Sequence, residues 1–203
     1  MGKRRLEAAL AAWGEKHPDE PKPAVRWLPF QLNPDLPASG MARREYIERK
    51  WGPGKGPEVY SRVSGVGRTV GVPFAFENIT VQPNTLEAHR LLGYADDKGR
   101  QDEVAEALFR AYFVEGVDLT NLAALADVAA SGGLDRDETL RFLESGEDRE
   151  KIAQADVEAR SAGIGGVPFF IFNRRVGVSG AQEVDVLLQA MEQAYRSAEQ
   201  GPP

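Results

Sequence analysis

Thiol chemistry needs a cysteine, and the 203 residues contain none. That excludes disulfides, thiolate metal sites, iron–sulfur clusters and every cysteine nucleophile within the chain. Two histidines, His17 and His89, are too few for a multi-histidine zinc centre. His89 stands at a helix start, where a structural hydrogen bond or a cap is the expected role. Phe74, Phe76, Phe109, Tyr112 and Phe113 read as core rather than as a ligand box. Glu103, Glu106 and Arg110 share one helix face and read as ordinary solvated pairing. Pro168 is the most telling residue, because it opens the apolar run Val167-Pro168-Phe169-Phe170-Ile171-Phe172. A proline removes a ladder hydrogen bond, so it is tolerated at the first position of a strand or on an edge. Where the bond before such a proline is cis, it is a deliberate feature.

The elements that would position these residues follow from pattern. Leu6, Leu10 and Trp13, four and three apart, predict an amphipathic opening helix. It lacks the apolar core and small-residue cleavage site of a secretory signal. The breaker-rich His17–Pro23 leads to Ala24–Phe30, read as a strand closed by Pro29. From about Met41 to Ala162 the periodicity is helical and predicts four to six helices, punctuated by Gly65, Gly67, Gly71, Pro73, Gly132 and Gly133. Asn84 and Glu87 have capping-box spacing. Val104, Leu108, Ala111 and Tyr112 form one stripe, and Leu122, Leu125, Ala126 and Ala129 another. Asp135 opens a helix with Leu140 and Leu143, and Ile152 and Val157 mark the last one. The strand chemistry of 167–172, a turn at Asn173-Arg174-Arg175, a return strand Val176-Gly177-Val178 and a helix with Val184, Leu187, Leu188, Met191 and Tyr195 close the chain before a frayed Gly201-Pro202-Pro203. Hydrophobic residues at 42% and charged residues at 28% place the chain among ordinary globular proteins. A net charge of −6, from 25 basic and 31 acidic residues, argues against nucleic acid as the partner, and Lys3-Arg4-Arg5 is too short to reverse that. No apolar run is long enough to span a membrane.

Gly166-Val167-Pro168-Phe169-Phe170 followed by Val178-Ser179-Gly180-Ala181-Gln182 resembles the C-terminal half of a thioredoxin fold of the DsbA superfamily. Met1–Glu7, Trp27–Pro34, Pro83–Leu91 and Leu108–Phe113 with Gly116 resemble its FrnE-like branch, described as DsbA-family oxidoreductases or polyketide-biosynthesis dithiol isomerases. The resemblance runs over essentially the whole chain in one order. It implies an α/β thioredoxin-like domain from residues 1–38 and 163–203, interrupted by a helical insertion subdomain at 39–162. It also implies a thiol–disulfide oxidoreductase or dithiol isomerase, with Val167 and Pro168 on the substrate-binding side. Protein or peptide thiols and disulfides would be its partners, with glutathione as a further ligand, no resident cofactor, and a cytoplasmic location.

In that branch a strand and a Cys-Pro-Trp-Cys motif precede the residues matched by Met1–Glu7. The expected chain is therefore one whose first strand and redox motif are missing, and Ser61, Ser64 and Ser179 do not lie at the first helix start to replace them. As written, such a chain is expected to be redox-inactive. A start assigned too late is the favoured account, because losing a central strand would expose unpaired edges and cost more than a stability margin of about 5–15 kcal/mol absorbs. Two other readings stand beside this one. A glutathione-dependent 2-hydroxychromene-2-carboxylate isomerase or kappa-like transferase shares the fold, but resembles this chain less because Ser179-Gly180-Ala181-Gln182 carries no acid. A non-enzymatic module that binds peptides by strand addition needs no cysteine.

Overall fold

The computed structural model describes residues 1–199, so the expected frayed tail at 201–203 lies outside the described residues. The chain divides into two compact units, one from Met1–Ala24, Thr69–Val72 and Ile164–Pro203, the other from Val25–Arg68 and Pro73–Gly163.

In the first unit, α1 (Gly2–Lys16) lies along α9 (Val184–Glu199), and both cover the hairpin of β3 (Phe169–Phe172) and β4 (Val176–Ser179). The hairpin is antiparallel, with Phe169 opposite Ser179 and Phe172 opposite Val176. Its turn places Asn173 and Arg174 in the left-handed region, at φ 48° and 59°, a conformation Asn adopts more readily than most residues. Strand alternation turns Phe170 and Phe172 onto the helices, where they pack against Leu6, Ala9, Trp13, Leu187 and Met191, while Ile171 faces outward. The i, i+3, i+7 spacing of Leu6, Ala9 and Trp13 is what buries one stripe of α1. Burying Leu187 completely stabilises this unit by about 1.5–3 kcal/mol.

The second unit is helical: α2 (Arg43–Trp51), α3 (Gly56–Thr69), α4 (Leu86–Asp97), α5 (Gln101–Arg110), α6 (Leu122–Ser131), α7 (Arg136–Ser145) and α8 (Arg149–Ser161). A two-residue ladder, β1 (Met41–Ala42) with β2 (Val81–Gln82), holds the start of α2. Leu91, Val104, Leu108, Leu125 and Leu143 lie in the core, as their periodicity predicts, together with Val128. The helix α5 widens into a π turn, Ala111–Glu115, ended by Gly116. Gly116 has φ 73°, and a Cβ there would sit 2.3 Å from the Asn78 carbonyl oxygen, so no other residue fits without a shift.

Several expectations need correction. There are seven α-helices between residues 41 and 162 rather than four to six, because the stretch 43–69, which carries no assigned apolar stripe, holds two of them, α2 and α3, the latter running through Gly65 and Gly67. Ala24–Phe30 forms no strand. Its backbone is satisfied by side chains instead: the Trp27 N–H donates to Gln101 Oε1 at 2.8 Å, and Gln101 Nε2 donates to the Trp27 carbonyl at 3.0 Å. The stretch 25–38 groups with the helices, whereas the expected boundary at residue 38 placed it with the hairpin. The capping box does not close. Asn84 Oδ1 does accept from the Leu86 N–H at 3.0 Å, but Glu87 is drawn to Arg90 and Arg149. Asn121 and Asp135 cap α6 and α7 in the ordinary way, each side chain accepting from the first-turn N–H groups. On α8 the stripe position after Ile152 is Asp156, which is buried, and Val157 is exposed.

Candidate functional site

The helix α1 begins at Gly2, which is buried because the Pro168 ring lies against it. A Cβ on Gly2 would stand 2.8 Å from Pro168 Cγ and 3.0 Å from Pro168 Cβ. Glycine is therefore what lets the helix start approach the proline so closely. The Val167–Pro168 bond is cis, the Gly180 N–H donates to the Pro168 carbonyl at 2.8 Å, and Val167 remains 48% exposed. Val167 and Pro168, both expected at the substrate side, thus sit together beside the first turn of α1.

That first turn carries no acidic residue but has Lys3, Arg4 and Arg5. Met1 offers no side-chain cap, and the helix dipole adds a partial positive charge there. Glu7 pairs with Lys3 and with Arg4 (2.9 Å), and Arg5 reaches the Ala181 carbonyl and Glu183 (2.7 Å). The arrangement favours an anionic group, such as a thiolate, next to Pro168. The 203 residues supply no thiol of their own.

Along β3, the Gly180–Pro168 bond marks 168 and 180 as a hydrogen-bonded pair. Alternation then directs the N–H and C=O groups of Phe169 and Ile171 away from β4. Among the described residues no strand pairs with that edge.

His89, in the helical unit, has a structural place. Its Nε2 donates to the Phe30 carbonyl at 3.2 Å, which leaves Nδ1 as a buried acceptor with no partner among the described residues. Burial pushes its pKa down, against the smaller upward pulls of the Phe30 bond and of Asp156. Asp156 itself accepts from the Gln31 N–H at 2.7 Å and from Arg160 Nε at 3.0 Å, and Arg160 lies 4.4 Å over the Phe30 ring. Gln31 and Asp156 were not foreseen as site residues. The four-residue step from Ile152 to Asp156 was the signal, since a carboxylate on an apolar stripe needs buried partners. His17 stacks on Trp13 with ring centroids 4.2 Å apart. Among the described residues no cluster of three or more His, Asp or Glu could hold a metal ion. The expected core aromatics are only partly so: Tyr112 is buried, Phe74, Phe76 and Phe113 are half-buried, and Phe109 is exposed.

Comparison with known proteins agrees with this geometry. A probable DsbA oxidoreductase from Streptomyces coelicolor is 27% identical, with a TM-score of 0.84 over 100% of this chain and 86% of its own. A protein assigned as a protein disulfide isomerase from Nitrosomonas europaea, at 17% identity, shares the fold with a TM-score of 0.66 over 97% of this chain and 92% of its own. No curated protein matches. The model of the DSBA-like thioredoxin domain matches residues 1–192. With a thioredoxin-like fold, a helical insertion and a proline set against the first helix, this cysteine-free chain belongs to the DSBA-like thioredoxin domain family.

Proposed function

We propose that this chain serves thiol–disulfide exchange on proteins or peptides, in the manner of FrnE-like dithiol oxidoreductases and isomerases of the cytoplasm. Its own residues supply the substrate side. The observation that carries the reading is the exposed Val167 and the Pro168 ring set against the cationic start of α1. An extended peptide would pair by strand addition with the exposed backbone of Val167 beside the cis Pro168. The helix start would favour the anionic sulfur released when a substrate disulfide is opened, because a stabilised thiolate is the better leaving group. The sulfur that attacks must come from outside these 203 residues, since no residue here can form a mixed disulfide. The exposed Val167 beside the cis Pro168 also favours a second reading, a peptide-binding module without exchange.

The test is the intact mass and thiol count of the protein purified from its native source, followed by an exchange assay on a disulfide-bridged peptide. A mass above 22.2 kDa with two alkylatable thiols and catalysed exchange is the expected result. A mass of 22.2 kDa, no thiol and no exchange overturns it. Peptide binding weakened by Val167→Lys would then identify a binding module.

A further inference from the structure

Pro168 is held from two sides within the first unit. Its ring lies against Gly2, and its carbonyl accepts from the Gly180 N–H at 2.8 Å. Gly180 begins the turn that joins β4 to α9, and its φ of 84° is one that glycine adopts readily. Inside that turn the Gln182 N–H donates to the Gly180 carbonyl at 2.9 Å, and Gln182 Nε2 donates to the Ser179 carbonyl at 2.9 Å. These bonds set the shape of the turn, but they do not attach it to α1.

Arg5 makes that attachment. It stands three residues on from Gly2, on the same face of α1, with its side chain only 16% exposed. Its Nη1 donates to the Ala181 carbonyl, 176 positions away, and its Nη2 pairs with Glu183 Oε1 at 2.7 Å. The contacts close a ring that runs from Gly2 through Pro168, Gly180, Ala181 and Arg5 and back along α1. Because the ring is closed, the Arg5–Ala181 bond limits how far Pro168 can lift from the helix start. Of the two Arg5 contacts, the carbonyl bond carries the hold. It is charge-assisted and largely shielded from water. The Glu183 side chain is 74% exposed, so water screens its ion pair.

We infer that Arg5 is a positioning residue for the Val167–Pro168 site, acting through Ala181 and Gly180 and not by touching a substrate. It keeps the Pro168 carbonyl, and with it the exposed Val167 backbone, in a fixed place beside the first turn of α1. A peptide that pairs there meets a backbone already in place and does not have to order it on binding. The inference rests on the peptide-pairing reading of this site given above.

The test is a pair of measurements on the full chain and on its Arg5→Met, Arg5→Lys and Glu183→Gln variants. The first, amide hydrogen exchange by NMR, needs no ligand. Arg5→Met is expected to speed exchange of the Gly180 N–H about tenfold or more, because the turn then opens locally. Arg5→Lys keeps a cationic donor for the Ala181 carbonyl and should restore most of the protection. Glu183→Gln should change the rate less than about twofold. The Met191 N–H, in the middle of α9, should exchange at the wild-type rate throughout, which separates local release from loss of the fold. The second measurement is calorimetric titration with the capped, uncharged peptide acetyl-Thr-Val-Thr-Val-amide, so that the lost positive charge does not act on the ligand. Arg5→Met should weaken binding about three- to tenfold, and Arg5→Lys should recover it. Unchanged Gly180 exchange in Arg5→Met, an equal rise at Met191, unchanged peptide affinity, or no recovery by Arg5→Lys would overturn the inference. A wild-type chain that binds no peptide overturns the peptide-pairing reading, and with it the binding role of Arg5, whatever the Gly180 exchange shows.

Discussion

Replacing Arg90 with methionine should unfold the helical unit far more readily than its modest change in size suggests. Arg90 is fully buried, and its guanidinium donates to the carbonyls of Glu147 (2.6 Å), Leu143 (3.1 Å) and Phe142 (3.0 Å), and to Glu87. The Phe142 ring lies 4.9 Å from its Cζ. Phe142 and Leu143 belong to the last turn of α7, whose carbonyls have no backbone partner within the helix, although the Ser145 hydroxyl donates to the Phe142 carbonyl at 2.7 Å. That last turn has no basic residue of its own, so Arg90 supplies from α4 both the donors and the positive charge that the C-terminus of α7 needs. Methionine fills most of the volume but leaves the Leu143 and Glu147 carbonyls unsatisfied, at about 1–3 kcal/mol each if they stay buried, while the Phe142 carbonyl keeps the Ser145 hydroxyl. Relief of the buried guanidinium's desolvation offsets part of this, and Glu87 keeps Arg149 at 2.8 Å. The net loss is about 3–5 kcal/mol, the range for breaking a buried charge network. For a chain of this length that lowers Tm by roughly 6–20 °C. Urea and thermal unfolding followed by circular dichroism measure it. A loss below about 1 kcal/mol would refute the reasoning, because it would mean that the carbonyls find water as easily as they find Arg90.

Two further outcomes follow from the same geometry. Because burial holds the pKa of His89 below 6.5, the unfolded chain binds the extra proton more readily than the native one, so this group's contribution is complete above pH 6.5 and is lost as pH falls below it. The urea midpoint should therefore drop between pH 7.5 and pH 5, and His89→Gln should flatten that drop; an unchanged slope would remove His89 from the account. Gly2→Ala places a methyl 2.8 Å from Pro168 Cγ, which forces the helix start and the proline apart and costs about 1–3 kcal/mol despite the better helix former. Chemical-shift changes at Gly180, whose N–H holds the Pro168 carbonyl, report the displacement, and an unperturbed Gly180 would speak against the close packing.

Much of the site was legible in the residues. A proline opening an apolar β-branched and aromatic run fits a strand start or an edge, and β3 begins at Phe169, directly after Pro168. The absence of cysteine settled without coordinates that the chain carries no redox sulfur. The stripes of α1, α5 and α9 were readable because burial on one helix face repeats every three or four residues, a local rule that needs no knowledge of the partner.

Other features depended on partners distant in sequence. Ala24–Phe30 has strand-like composition, but a strand exists only if a neighbour offers a ladder, and here Gln101 satisfies the Trp27 backbone. Glu87 has the spacing of a capping residue, yet Arg90 and Arg149, the latter 62 positions away, claim its carboxylate. Arg43 looks like any surface arginine at a helix start. Only the tertiary structure surrounds it with Tyr60, Gln82 and Tyr112 and leaves its Nε without an acceptor. The sequence by itself determined which residues prefer helix, turn or burial, because those preferences are local. The tertiary structure decided which buried charges are satisfied and by whom, because a hydrogen bond needs two groups in one place and only the folded chain brings them there.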